Sequence, residues 1–389
     1  MFPLIRAELR AARSSWLAVL VSFVATSFAI VLALLVMGSM NTSVAAGVIP
    51  ERHAPAAQFV PAWNLALAVI GTLSVIAAVT GLVVQSRRGA LARLSLAGAT
   101  PRQLSRLLIA QIAIIAVVGA LFGVLLAIVA QPGSIQMLLG DRGVDASAAI
   151  VRTDPLLITV GAVGFVLVCV VAGLRQARVA AAVAPVEALR TIPGAEPRIR
   201  RAARWVGAAL LTLAVVGIAA GVTLMAPMLG TEGVDTVLQG AVLCILLVGA
   251  ALSLAGPLTI GALTRAWTAI IPVRSTSWVL ARAAVVAKGE RLARTVTPIM
   301  LSIGLLVGLG TIVATTVALL ETLGRPSIGN TTLTSLLVLI ALVLIVSVSG
   351  GISVVLMMSR QREAELALAG VVGASPRQQV MVTVWEGVI

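Results

Sequence analysis

The stretch LLIAQIAIIAVVGALFGVLLAIVA, residues 107–130, contains no Asp, Glu, Lys or Arg. Coiled as an α-helix it would reach about 36 Å, more than the roughly 30 Å hydrocarbon core of a bilayer. It is apolar on every side, which marks a helix buried in protein or in lipid rather than an amphipathic surface helix. Seven further stretches read the same way: 16–37, 63–84, 156–174, 205–227, 236–262, 296–320 and 332–358, and none of them holds an ionised side chain. The first is too long for a signal-peptide core of about 7–15 residues and is expected to be retained. The expected fold is therefore all-α, a polytopic membrane helical protein with eight spans.

Composition supports this reading. Of the 389 residues 60% are hydrophobic and only 11% charged, with a mean hydropathy of +1.11, against about 25% charge in a soluble domain. Such a chain must use lipid as its solvent. The net charge of +14 would suggest nucleic acid in a soluble protein, but Tyr is absent and aromatic residues do not interleave with basic ones. The charge has a topological explanation instead. With a cytoplasmic N-terminus, the inside segments are 1–15, 85–106, 175–204, 263–295 and 359–389. These hold 24 of the 28 basic residues, leaving only Arg52, Arg142, Arg152 and Arg325 outside. That is the positive-inside distribution, and it predicts a multi-pass membrane protein with its N-terminus in the cytoplasm.

A repeat organises the chain. Arg87-Arg88-Gly89-Ala90-Leu91-Ala92, followed by Gly98-Ala99-Thr100-Pro101-Arg102-Gln103, returns 275 residues later as Arg362-Glu363-Ala364-Glu365-Leu366-Ala367 and Gly373-Ala374-Ser375-Pro376-Arg377-Gln378. Gly98 and Gly373 suit a helix C-terminus that needs positive φ. Thr100 and Ser375 suit the N-cap, Pro101 and Pro376 the first helical position, and Gln103 and Gln378 the closing side of a capping box. Each copy should be a short cytoplasmic helix, a sharp corner, and a new helix running into the membrane. Arg10 and Arg13 before the first span match Arg291 and Arg294 before the seventh at offset 281, and 191–197 (TIPGAEP) breaks any helix between the halves.

These motifs resemble the FtsX-like, MacB-type permease family of ABC transporters. The second copy carries the family pattern at Arg362, Glu363, Leu366, Gly373, Ala374, Ser375, Arg377 and Gln378, with Glu386 at the start of the next span. The first copy departs from it, with Arg88 and Gln111 where Glu is expected. Pro185-Val186-Glu187-Ala188-Leu189-Arg190 is similar to a further family segment. The resemblance implies a first FtsX-like four-span unit at 1–190 with an N-terminal cytoplasmic helix, a cytoplasmic linker at 191–204, a central two-span pair at 205–265, and a second FtsX-like unit at 266–389. It also implies ten spans in all, so that two would follow the point where this sequence stops.

The resemblance implies a permease without catalytic residues, served by a dimer of separate ABC ATPase subunits that bind ATP and Mg. No Gly-x-x-x-x-Gly-Lys-Ser/Thr loop occurs in the chain, as the usual ATP cradle would need. His53 is the only histidine, and Cys169 and Cys244 sit in apolar runs as small hydrophobes. No metal or catalytic cluster is expected, and no cofactor. The coupling surface is assigned to Arg87, Arg88, Leu96, Ala97, Gly98, Ala99 and Thr100, with Arg362, Glu363, Val371, Val372, Gly373, Ala374 and Ser375. The alternative for these segments is a solvated basic loop beside anionic lipid. Gly119/Gly123 and Gly304/Gly308, spaced i, i+4, suit close helix packing. Uncharged spans argue against an ion-coupled carrier, which commonly places ionisable groups at mid-membrane. The expected role is export or extraction of an amphiphilic or lipid-like substrate such as a peptide antibiotic, with homodimerisation possible. The alternative is a signalling scaffold that controls an extracytoplasmic cell-wall hydrolase.

Overall fold

The computed structural model describes residues 13–50, 54–86, 94–140, 149–181, 198–229, 263–270, 275–287 and 333–388, with isolated residues between 243 and 255 and between 307 and 314. Regular structure among them is helical. The long elements are α1 (Arg13–Ala45), α2 (Ala54–Ser86), α3 (Pro101–Gly140), α4 (Pro155–Ala181), α5 (Arg198–Leu229), α6 (Thr276–Ala287), α7 (Leu333–Val371) and α8 (Pro376–Val388).

Among the described residues, five stretches are long and apolar enough to cross a membrane: Trp16–Ala45, Val60–Val84, Pro101–Leu139, Pro155–Leu174 and Ala202–Gly221. They fall on the first five spans expected from sequence. The eighth expected span falls within α7, whose apolar part is the shorter Ala341–Met357. The sixth and seventh lie mostly outside the described residues, as does the N-terminal segment 1–12. α7 differs from the expected separate span and cytoplasmic helix, because it runs unbroken for 39 residues from the apolar stretch to the second corner. Residues 358–371 contain no proline and are rich in good helix formers, so nothing stops the helix before Gly373.

The chain divides into two compact units, the first comprising residues 1–193 and 313–357, the second 194–312 and 358–389. In the first, α1 is the central helix. Its apolar residues are spread over all faces, as burial from all sides requires, and it packs against α2, α3 and α4. Small residues bring the backbones together. A Cβ at Gly119 would lie 2.8 Å from Phe23 Cβ, and one at Gly123 only 2.8 Å from the Phe28 backbone nitrogen. A Cβ at Gly161 of α4 would meet Val31 and Leu34 at 3.1 and 3.0 Å, and one at Gly173 would meet Ile112 of α3 at 2.9 Å. Between α2 and α7 the glycines are reciprocal: Gly71 faces Val346, and Gly350 faces Val75. Phe23 and Phe165 meet edge to face at 5.8 Å.

Hydroxyls join α1 to α7. Ser22 Oγ donates to Ser353 Oγ at 2.6 Å, and Ser353 Oγ lies 2.5 Å from the Ala18 carbonyl. All three residues are fully buried. In an apolar surrounding such bonds contribute about 0.6–2 kcal/mol each. Cys169 is buried and Cys244 half-buried, both as free thiols.

In the second unit, a Cβ at Gly308 would meet Ile245 Cδ1 at 2.9 Å; its sequence partner Gly304 lies outside the described residues. α6 packs against α8.

The glycine contacts give a direct expectation. Gly123→Ala puts a methyl against the α1 backbone and should destabilise the protein by about 1–3 kcal/mol, read as a lowered thermal midpoint in detergent. Gly133→Ala, where an added Cβ meets nothing within 4 Å, should be neutral or slightly stabilising, by up to ~1 kcal/mol.

Candidate functional site

The first corner joins a short helical turn at 94–97 to α3. Gly98 turns the chain with φ of +94°, in the left-handed region that side chains avoid. Its N–H donates to the Ser95 carbonyl at 3.0 Å, and the Ala99 N–H to the Leu94 carbonyl at 3.0 Å, closing the end of the preceding turn in the Schellman manner. A capping box then starts α3. The Thr100 N–H donates to Gln103 Oε1 at 2.9 Å, and the Gln103 N–H to Thr100 Oγ1 at 3.4 Å.

The second corner repeats this chemistry. Gly373 has φ of +100°, and its N–H donates to the Gly370 carbonyl at 3.0 Å. The Ser375 N–H donates to Gln378 Oε1 at 2.9 Å, and the Gln378 N–H to Ser375 Oγ at 3.3 Å. The two boxes agree to 0.1 Å or better. Gln379 adds a bond from Nε2 to the Ala374 carbonyl at 3.3 Å.

The corners expose apolar side chains that no capping role requires. Leu96 is 65% exposed, Val371 86% and Val372 85%. Ala97, Gly98 and Thr100 are exposed in the first corner, as are Gly373 and Ser375 in the second. Ala99 and Ala374 are half-buried, and Ala99 packs against Val84, Leu104, Leu108 and Ala177. Each corner therefore turns its Gly and its preceding apolar residues outward and its Ala inward. Arg362 and Glu363 lie within α7, while Arg87 and Arg88 lie outside the described residues.

Sequence reasoning missed how each corner is anchored. The first rests on the aliphatic cluster Val84, Leu104, Leu108 and Ala177, with Leu94 and Ile109 packed on it. The second rests on tryptophans: Trp385 of α8 meets Trp278 of α6 edge to face at 5.2 Å, and Trp278 meets Trp267 at 6.3 Å. The gathering of three of the six tryptophans after residue 266 was the available signal. Burial also accounts for the departure at Gln111. It is 2% exposed, where a carboxylate would pay a heavy desolvation cost; its repeat partner Glu386 is only half-buried.

The arrangement defines a helical membrane protein with two similar capped corners whose tips expose apolar side chains. Residues 64–185 match the family model described as FtsX-like permease C-terminal, so that stretch of the chain is similar to the FtsX-like permease family. The match covers most of α2, the first corner, α3 and α4. No curated protein and no solved structure matches the chain. An FtsX-like domain points to a permease subunit of the ABC-transporter type, a membrane component whose general partner is an ABC ATPase.

Gly98→Ala and Gly373→Ala should each cost about 1–2 kcal/mol through the forced positive φ, with asparagine milder at either position. Thr100→Ala should cost about 1 kcal/mol through loss of the cap. Hydrogen exchange of the first-turn amides of α3 and α8 reads both, as faster exchange confined to the altered corner.

Proposed function

We propose that this chain is the permease subunit of an ATP-driven ABC transporter, and that its two corners, 94–104 and 368–379, seat on a dimer of ABC ATPase subunits at the cytoplasmic face of a bacterial inner membrane. The observation that carries this reading is the duplication of one capped corner with exposed apolar residues at its tip. Exposed apolar side chains beside a rigid turn favour a protein partner over water. Closure of the ATPase dimer on ATP and Mg would push the corners. In the first corner the push enters α3 directly, because the capping box starts that helix without a flexible link. In the second, α7 leads into the corner and α8 out of it.

The cargo in this reading is an amphiphilic or lipid-like molecule, such as a peptide antibiotic, exported or extracted from the membrane. The spans hold no ionised side chain that would suit an ion pathway. A homodimer of the chain is compatible with two ATPase subunits, each seated on one or two corners.

Co-purification of the full chain with its cognate ABC ATPase tests the reading, with ATPase rate as a second readout. Wild type should retain the ATPase, and a Leu96→Glu/Val372→Glu double variant should lose it or its stimulation by about ten-fold or more, the effect of about 1.4 kcal/mol or more. A wild-type chain that retains no ATPase overturns the permease reading. Retention equal in both proteins overturns the choice of contact surface.

A further inference from the structure

Within the first unit a cleft of about 300 Å³ opens at the C-terminal end of α1 and the start of α4, lined by Gly38, Asn41, Thr42, Ala45, Arg152, Asp154 and Leu157. It lies where the apolar stretches Trp16–Ala45 and Pro155–Leu174 end and begin, so it belongs at a membrane–water interface. The charge distribution predicts that this is the outer one.

The approach to α4 is pinned rather than loose. Ser39 Oγ accepts the Arg152 N–H at 3.2 Å and a bond from Gln131 Nε2 at 2.9 Å. Gln131 Nε2 also reaches the Arg152 carbonyl at 3.1 Å. One turn further along α1, Ser43 Oγ accepts the Ile150 N–H at 3.0 Å. Ser39, Ser43 and Gln131 are buried. Asp154 Oδ1 accepts the Leu156 N–H at 3.0 Å, capping α4 ahead of Pro155. The backbone of Arg152 is thus held on both sides, while its side chain stays 61% exposed. Among the described residues it makes one ion pair, Nη2 to Asp154 Oδ2 at 3.8 Å, which is long and engages one edge of a guanidinium fork that has five donors. Asp154 is already engaged by the helix N-terminus. The other edge of the fork can take a phosphate in bidentate fashion.

An apolar track starts at the cleft. Leu157, Val160, Gly164, Leu167 and Val171 follow the 3, 4, 3, 4 spacing of one helix face. Val160, Leu167 and Val171 are 57%, 58% and 62% exposed. At Gly164 an added Cβ meets nothing within 4 Å, whereas at Gly161 it would strike α1. Gly161 seals α4 inward, and Gly164 leaves a notch outward. The track runs about 21 Å along the helix, longer than one leaflet of a roughly 30 Å core.

We propose that the cleft binds the phosphate-bearing headgroup of a lipid-like amphiphile, held by Arg152, with its chain lying along Leu157, Val160, Gly164, Leu167 and Val171. A cationic side chain for the head and an exposed apolar face with a notch at Gly164 for the tail select one molecule that has both parts. The inference names a cargo class for the permease and rests on that reading for its meaning, but the binding can be measured without the ATPase.

The test uses the full chain in phosphatidylcholine nanodiscs doped with a phosphatidic acid that carries a photoreactive group on its acyl chain, with adducts mapped by mass spectrometry. Adducts are expected on 157–171 and to fall about ten-fold or more in Arg152→Gln, which loses the charge and the bidentate pair of hydrogen bonds. Arg152→Lys, which keeps the charge but not the fork, should fall between wild type and Arg152→Gln, and Gly164→Leu should reduce the labelling without lowering the thermal midpoint. Labelling in Arg152→Gln equal to wild type, or spread evenly over α5 as well, overturns the site. Displacement by millimolar inorganic phosphate as effective as that by a short-chain phosphatidic acid overturns the amphiphile and leaves a free-anion site. ATPase retention without mapped labelling overturns the cleft and leaves the permease reading standing. Mapped labelling in a chain that retains no ATPase supports the cleft and overturns the permease.

Discussion

Lipid offers no hydrogen bonds, and the first unit follows from that constraint. Every backbone group in the apolar phase must be satisfied within its own helix, and helices gain no hydrophobic drive for associating in lipid. Close approach is what remains. Gly119, Gly123, Gly161 and Gly173 supply it for α3 and α4 against their neighbours, and Gly71 and Gly350 for α2 against α7. The buried hydroxyl of Ser22 finds a partner on a facing helix in Ser353, while those of Thr26 and Thr80 donate back to carbonyls of their own helices. The result is a central α1 held by dispersion and short polar contacts rather than by charge.

The corners obey a different constraint. A chain leaving one helix and starting another within three residues exposes carbonyls and N–H groups that must be capped. Gly98 and Gly373 close the first end by adopting positive φ, and the Thr100–Gln103 and Ser375–Gln378 boxes close the second. All of this is local chemistry, which is why duplication preserved it. What holds each corner down is not local. One copy uses aliphatic side chains from α2, α3 and α4, and the other an edge-to-face run of tryptophans. Two copies of one motif thus present similar tips on different mountings.

The cleft at Arg152 joins the two constraints. Buried serines of α1 and a buried glutamine of α3 tie down the segment that leads into α4, so a cation is presented at the end of an apolar helix face without being buried itself. A membrane protein that handles an amphiphile needs both features within one molecule's length. The structure sets the cation just before α4 and the apolar face along it.

Much of this architecture was legible in residue order alone. The membrane class follows from uninterrupted apolar length, because no soluble fold can hide such a surface. The corners follow from a Gly, a hydroxyl, a Pro and a Gln at fixed spacing, because capping depends only on neighbours within a turn. The close-packing role of Gly119 and Gly123 was suggested by their spacing, but which helix they meet was not. Nothing in the order of residues says that Ser39 and Ser43 would grip a backbone more than a hundred positions away. Nor does it say that α4 would turn Gly161 inward and Gly164 outward, or that the two corners would rest on unlike cores. Those outcomes belong to tertiary structure, because they depend on which helix faces which, and in lipid that choice is made by shape and hydrogen-bond partners rather than by hydrophobic pattern.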